Sequence, residues 1–183
     1  MAMQLELIEI GSRAREFLAL EVSESQRGLV ATMAESYSDA LFPPDYGLGE
    51  VKPWLRGITR NGAPAGFLMC ADPTERQKDA WIWRLLVDKN HQGFGVGTFA
   101  VNEAIARYLK MDIRRILVSW KPQANNPSGF YQKLGFSIEK IPESMSYYHE
   151  ALTIPLYPYL RRFEQRKIIN VLKQLTDKLQ RNG

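Results

Sequence analysis

Residues 92–98 read Gln92-Gly93-Phe94-Gly95-Val96-Gly97-Thr98, and the stretch sits between two strongly patterned segments. Before it runs Trp81-Ile82-Trp83-Arg84-Leu85-Leu86-Val87, a short apolar run of strand length. After it, Ala100, Val101, Ala104, Ile105 and Tyr108 recur at helical spacing. A strand, a glycine turn and a helix start together make a phosphate cradle. Glycines let backbone N–H groups approach a ligand without Cβ obstruction, and the first turn of a helix adds unpaired donors and a partial positive charge. The competing reading is a plain strand-to-helix connection.

Two common nucleotide folds fail on the flanking residues. A Rossmann unit needs a carboxylate at the end of the next strand, about 20 residues on, but residues 115–121 end in Ser119-Trp120-Lys121. A Walker loop needs Gly-Lys-Ser/Thr, and Gly97 is followed directly by Thr98.

Outward from the cradle, the pattern predicts strands over 5–10, 54–60, 65–71, 81–87, 115–120, 136–138 and 147–156. Asn61-Gly62 is a strong hairpin turn between the second and third of these. Helices are expected from Ser12, as N-cap, to about Leu20, from about Gln26 to Ala40, and from Thr98 to about Met111. A short helix is capped by Asn126-Pro127 and closed by Gly135. A last helix begins near Pro158. Hairpins beside helical crossovers imply an α/β (α+β) fold with a mixed sheet.

The chain has 183 residues, enough for one globular domain. One cysteine, Cys70, lies in an apolar strand, where a buried inert thiol is expected and no internal disulfide can form. No stretch reaches the roughly 20 apolar residues of a membrane span, and there is no export-signal pattern. A cytoplasmic protein without membrane contact is the expectation. Residues 158–183 hold seven basic side chains against Glu164 and Asp177, a balance of +5 within a net charge of +4, so the other 157 residues sum to −1. This divides the chain into a domain at 1–157 and a basic tail at 158–183. In the tail, Ile168, Leu172, Leu175 and Leu179 form an apolar stripe. The tail is expected to dock on its own domain or to form a homodimer contact. Membrane-surface or nucleic-acid contact is the alternative for it, and nucleic acid is not an expected partner of the domain.

Two ordered motifs carry a resemblance. Gln92, Gly95 and Gly97 match Gln/Arg-x-x-Gly-x-Gly/Ala, and Phe130-Tyr131-Gln132-Lys133-Leu134-Gly135-Phe136 matches Leu/Phe-Tyr-x-x-x-Gly-Phe. Both are signatures of the GNAT superfamily of acetyl-CoA-dependent N-acetyltransferases, which this chain resembles over about residues 3–156. Trp83-Arg84, His91-Gln92-Gly93 and Asn126-Pro127-Ser128-Gly129-Phe130-Tyr131, with Leu20-Glu21-Val22, Gln26 and Val30, bring the resemblance nearer to the bacterial spermine/spermidine (diamine) acetyltransferase group.

That resemblance implies a mixed sheet of about seven strands, splayed between strands four and five and flanked by helices. Acetyl-CoA is the implied cosubstrate, with no metal. The amides of Gln92, Gly93, Phe94, Gly95, Val96, Gly97 and Thr98 would hold its pyrophosphate. The backbone of Leu85, Leu86 and Val87 would pair with the pantetheine arm, and Asn126 or its neighbour Asn125 would bond it. Lys133 would contact the phosphates or stand as a solvated helix lysine. Tyr131 would protonate the departing thiolate or hydrogen-bond its sulfur, unless it is a core ring with a surface hydroxyl.

An amine near pKa 10 must lose a proton before it attacks. Strand 81–87 contains no carboxylate, so a water relay is favoured, with Glu21, Glu35 and Asp88 as candidate relays. Residues 21–50 carry six acidic side chains against Arg27 alone, which would attract a cationic amine or else mark solvated helix faces. His91 and His149 have no neighbouring metal-ligand pattern. The expected activity is acetyl transfer to a primary amine, a polyamine or other small cationic amine, by direct attack in a ternary complex. The alternatives are a non-catalytic CoA-binding regulatory module and a protein or peptide N-acetyltransferase.

Overall fold

Asn61 and Gly62 both take positive φ, 51° and 84°, as a two-residue type I′ hairpin requires. They join β2 (Lys52–Arg60) to β3 (Ala63–Asp72), paired antiparallel from Lys52↔Asp72 to Arg60↔Ala63. The computed structural model describes residues 3–44, 50–120, 124–139 and 151–155, with 138–139 and 151–155 by their backbone. β1 (Leu5–Ile8) flanks β2 and β4 (Ala80–Val87) flanks β3, both antiparallel.

From β4 the chain crosses over through α3 (Val96–Lys110) and returns as β5 (Arg115–Ser119), parallel to β4. β6 (Ser137–Glu139) and β7 (Ala151–Pro155) complete one mixed sheet in the order β1-β2-β3-β4-β5-β7-β6. The expected α/β architecture is therefore the observed one. The tail helix expected from Pro158, and all of 158–183, lie outside the described residues.

Helices cover both faces, which is why residues 65–70 of β3 are apolar without interruption. Leu68 and Cys70 face α3, where Ala100, Val101, Ala104, Ile105 and Tyr108 are buried with them. Phe67 and Met69, one residue out of phase, face Phe17, Leu20 and Met33. Each such side chain contributes about 1.5–3 kcal/mol on full burial.

Helix starts differ from the sequence reading, α3 by two residues and the others as follows. The first helix is only a 3-10 turn, Gly11–Arg13, and one helical turn, α1 (Ala14–Phe17), with no cap bond from Ser12. It stops before Leu20 because the chain turns to lay Glu21 against the end of β4, where the Glu21 N–H donates to Asp88 Oδ2 at 3.2 Å. The second, α2 (Met33–Leu41), starts at a Thr32–Glu35 capping box rather than at Gln26. Gly28, at φ 82°, breaks the helical pattern between them. Further on, Asn126 lies one position outside the cap of α4 (Ser128–Lys133); Pro127 is the cap, and Asn126 Oδ1 accepts from the Ser128 N–H at 3.0 Å.

Candidate active site

The pairing of β4 with β5 is confined to Ala80↔Ile116, Trp81↔Leu117 and Ile82↔Val118. Beyond Ile82, β4 continues to Val87 while β5 diverges, so residues 84–87 stay paired with β3 on one side and no longer pair with β5. A bulge accompanies the divergence: Cys70 pairs with Ile82 and Met69 with Arg84, leaving Trp83 as the extra residue. The opened edge exposes strand-like N–H and C=O groups to a cleft of about 1020 Å³.

The glycine turn closes one end of this cleft. Gly93 and Gly95 adopt φ 80° and 76°, and Gly95 caps α3, accepting from the Phe99 N–H at 2.9 Å. The first N–H groups of α3, from Val96 to Thr98, thus have no intrahelical acceptor. Gly97 packs tightly, since a Cβ there would stand 3.2 Å from Phe130 Cζ and 3.5 Å from Val87 Cγ2. Open donors, a helix N-terminus and a neighbouring unpaired strand edge fit a ligand with a diphosphate and an amide-bearing arm.

The cleft brings together most of the residues singled out in the sequence. Leu85, Val87, Gln92, Gly93, Gly95, Val96, Gly97, Thr98, Asn126, Tyr131, Lys133 and Glu35 all line it. Leu86 points to the opposite face, buried against Phe67 and Met69. Phe94 also lies outside the lining, with its ring beneath the Arg60 guanidinium at 3.7 Å.

Tyr131 is buried, its ring edge-on to Phe130 and Phe136 at centroid distances of 5.0 and 5.4 Å. Burial, with a smaller contribution from Cys70, pushes its hydroxyl well above the ordinary phenol pKa. The group therefore keeps its proton at neutral and mildly alkaline pH.

Of the three candidate relay carboxylates, only Glu35 lines the cleft. Glu35 lines the cleft, where its Oε2 accepts from the Thr32 N–H and hydroxyl, both at 2.8 Å. Those bonds, the backbone one first, hold its carboxyl below the usual range. Glu21 is outside the lining, paired with Lys89 at 2.8 Å, and that hydrogen bond lowers its pKa. Asp88 is 7% exposed and also outside the lining; burial pushes its carboxyl up, but the N–H donors of Asn90 and Glu21 outweigh this and hold it low.

The acidic balance of residues 21–50 is offset in part, by Lys89 and Arg84 from outside that window. Glu21 pairs with Lys89, Asp39 with Arg84 at 2.9 Å, and Glu24 with Arg27 at 3.9 Å. Arg84 and Gln26 line the cleft without having been assigned a role from the sequence. The only advance signal for them was their place in the diamine-acetyltransferase-like pattern. Among the described residues, no group of His, Cys, Asp and Glu could hold a metal, and no helix is long and apolar enough to cross a membrane.

A family profile described as the acetyltransferase (GNAT) family matches residues 16–136. An uncharacterized N-acetyltransferase of Methanocaldococcus jannaschii is 35% identical over 86 residues, 44% of this chain. The match spans only 38% of that relative's length. The PaiA N-acetyltransferase of Thermoplasma acidophilum, solved with coenzyme A, aligns at TM-score 0.59 and 16% identity over 85% of this chain and 99% of its own. The ribosomal-protein-S18-alanine N-acetyltransferase of Escherichia coli aligns at TM-score 0.56 and 15% identity, covering 84% of this chain and 94% of its own. At these identities the solved structures speak for the fold, and the family profile covers most of the chain. The chain belongs to the acetyltransferase (GNAT) family.

Proposed function

We propose that the protein transfers acetyl from acetyl-CoA to a primary amine of a small cationic molecule, a polyamine being the leading class, by direct attack in a ternary complex. The observation that carries this reading is the splay: beyond Ile82 the ladder between β4 and β5 ends, and β4 leads through the glycine turn to the open N-terminus of α3. The pantetheine amides match the first and the pyrophosphate matches the second.

In this reading the backbone at Leu85–Val87 aligns the arm and the amides around Gly93–Thr98 take the diphosphate. Asn126 and Lys133 border the same ligand. Acetyl-CoA supplies the activated acyl group, and the chain's task is to orient it, exclude water and manage two protons. Tyr131 retains its hydroxyl proton and gives a hydrogen bond to the leaving sulfur. No carboxylate lies on β4, so the amine proton leaves through water; Glu35, the one carboxylate in the lining among the described residues, is the group that receives it from that chain and that draws a cationic acceptor.

The test is a thiol-release assay with acetyl-CoA across diamines, polyamines, amino acids and peptides. Turnover confined to peptides would replace the small-amine reading with a peptide acceptor. Tight acetyl-CoA binding without turnover on any amine would leave a regulatory CoA-binding module.

A further inference from the structure

The glycine cradle and the wall opposite it are fastened together at two points. At the first, the Lys89 N–H donates to the Glu21 carbonyl at 2.7 Å and the Glu21 N–H donates to Asp88 Oδ2 at 3.2 Å. At the second, Gln92 Nε2 donates to Gln26 Oε1 at 2.6 Å and to the Val87 carbonyl at 3.2 Å. The Gln92 amide has two hydrogens, and both are thereby engaged, so its side chain cannot rotate without losing a bond.

The wall has little internal structure of its own. Between Glu21 and Thr32 there is one 3-10 turn, Glu24–Gln26, and one isolated bridge, Arg27↔Val30, with Gly28 at φ 82°. Yet Val22, Gln26, Leu29, Val30 and Ala31 line the cleft. A segment with so few internal bonds is held by what it touches. Here that is the core, through Val22 and Val30, and the connection which, on the reading given above, carries the cofactor phosphates.

We propose that Gln26 is a positioning residue that couples the cofactor cradle to the acceptor wall through Gln92. A ligand seated on the cradle fixes the start of the turn at Gln92, and Gln92 fixes the wall at Gln26. The inference rests on the cradle being the CoA site. Linkage makes the coupling reciprocal, so the acceptor binds better to the cofactor-loaded protein and the cofactor binds better, by the same factor, to the acceptor-loaded one. One neutral hydrogen bond accounts for about a 2- to 10-fold change in affinity.

The experiment pairs calorimetric titration of CoA with backbone hydrogen exchange of residues 21–31 and 92–98, with and without CoA. In the wild type, CoA slows exchange in both segments. In Gln26→Met, which removes the acceptor at similar volume, CoA binds about 2- to 10-fold more weakly. The slowing at 92–98 persists, and the slowing at 21–31 is lost. Gln26→Glu, which keeps an oxygen for Gln92 Nε2, retains the slowing at 21–31 even if its added charge weakens CoA. A merely structural glutamine would change exchange equally in the free and bound protein and leave the CoA-induced increment intact. That result in Gln26→Met overturns the coupling. Failure of the wild type to bind CoA overturns the cofactor reading itself, and the coupling with it.

Discussion

Arg84 Nη2 donates to Asp39 Oδ2 at 2.9 Å and so joins the bulge of β4 to α2. The same guanidinium donates through Nη1 to the Trp83 carbonyl at 2.9 Å, while its Nε is buried with no partner among the described residues. Arg84 lines the cleft and Asp39 does not. The pair thus places a cation on the cleft lining and its neutralising charge just behind it.

Replacing Asp39 by Asn leaves that cation uncompensated. At a few ångströms an unscreened charge near a protein surface changes binding by about 1–4 kcal/mol, and salt reduces this. The KM for a di- or triamine is expected to rise roughly tenfold or more, with the KM for acetyl-CoA nearly unchanged. Steady-state kinetics at low and at high salt would check it. An equal rise for an amine with an uncharged body would show that Asp39 acts through structure alone.

Tyr131→Phe removes one oxygen and leaves the edge-on packing with Phe130 and Phe136 in place. If the hydroxyl serves the departing sulfur, kcat falls by roughly 100-fold, within the span usual for a positioned acid, while acetyl-CoA binding holds. Because the phenol pKa is raised, the wild-type rate should show no alkaline decline from Tyr131 in the ordinary assay range. Equal turnover by both proteins would remove Tyr131 from the chemistry.

Gly57 sits beneath Phe17, and a Cβ there would meet the ring at 2.3 Å from Cζ and 2.6 Å from Cε1. Phe17 is fully buried, so the ring has nowhere to retreat. Gly57→Ala should cost about 1–3 kcal/mol or more through overpacking, a fall in Tm of roughly 2–4 °C for each kcal/mol. Adding Phe17→Leu should recover part of the loss, and strict additivity of the two changes in a thermal melt would refute the steric account.

The sequence was legible where one residue's chemistry settles the backbone. Asn61-Gly62 needed nothing but its own φ preferences, and the cradle needed only its glycines between a strand and a helix. It misled where apolar periodicity masked a local helix breaker and a local cap. The apolar spacing from Gln26 suggested a helix, yet Gly28 breaks it; the true start was present as Thr32-x-x-Glu35 and lost to the stronger-looking pattern. The site was legible along the same line. Gln92 and Tyr131 could be chosen from motifs, but the bond from Gln92 to Gln26 spans 66 positions and the contact from Arg84 to Asp39 spans 45. Charge counting over 21–50 could not foresee that Lys89 and Arg84, from beyond the window, offset Glu21 and Asp39.

Glu35 offers a test of the α2 cap that is separate from catalysis. Its carboxyl accepts from the Thr32 N–H and hydroxyl, and those bonds hold its pKa below the ordinary carboxylate range. A carboxyl depressed on folding contributes stability that is present above its unfolded pKa and lost as pH falls through the folded one. Gln at this position keeps an accepting oxygen, so Glu35→Gln isolates the charge. The stability gap between wild type and variant, from urea unfolding at a series of pH values, should be constant from pH 7 to about 5, then close as the pH drops below the unfolded value. A gap that stays open down to pH 3 would mean that Glu35 acts through shape, leaving its charge free to face the cleft.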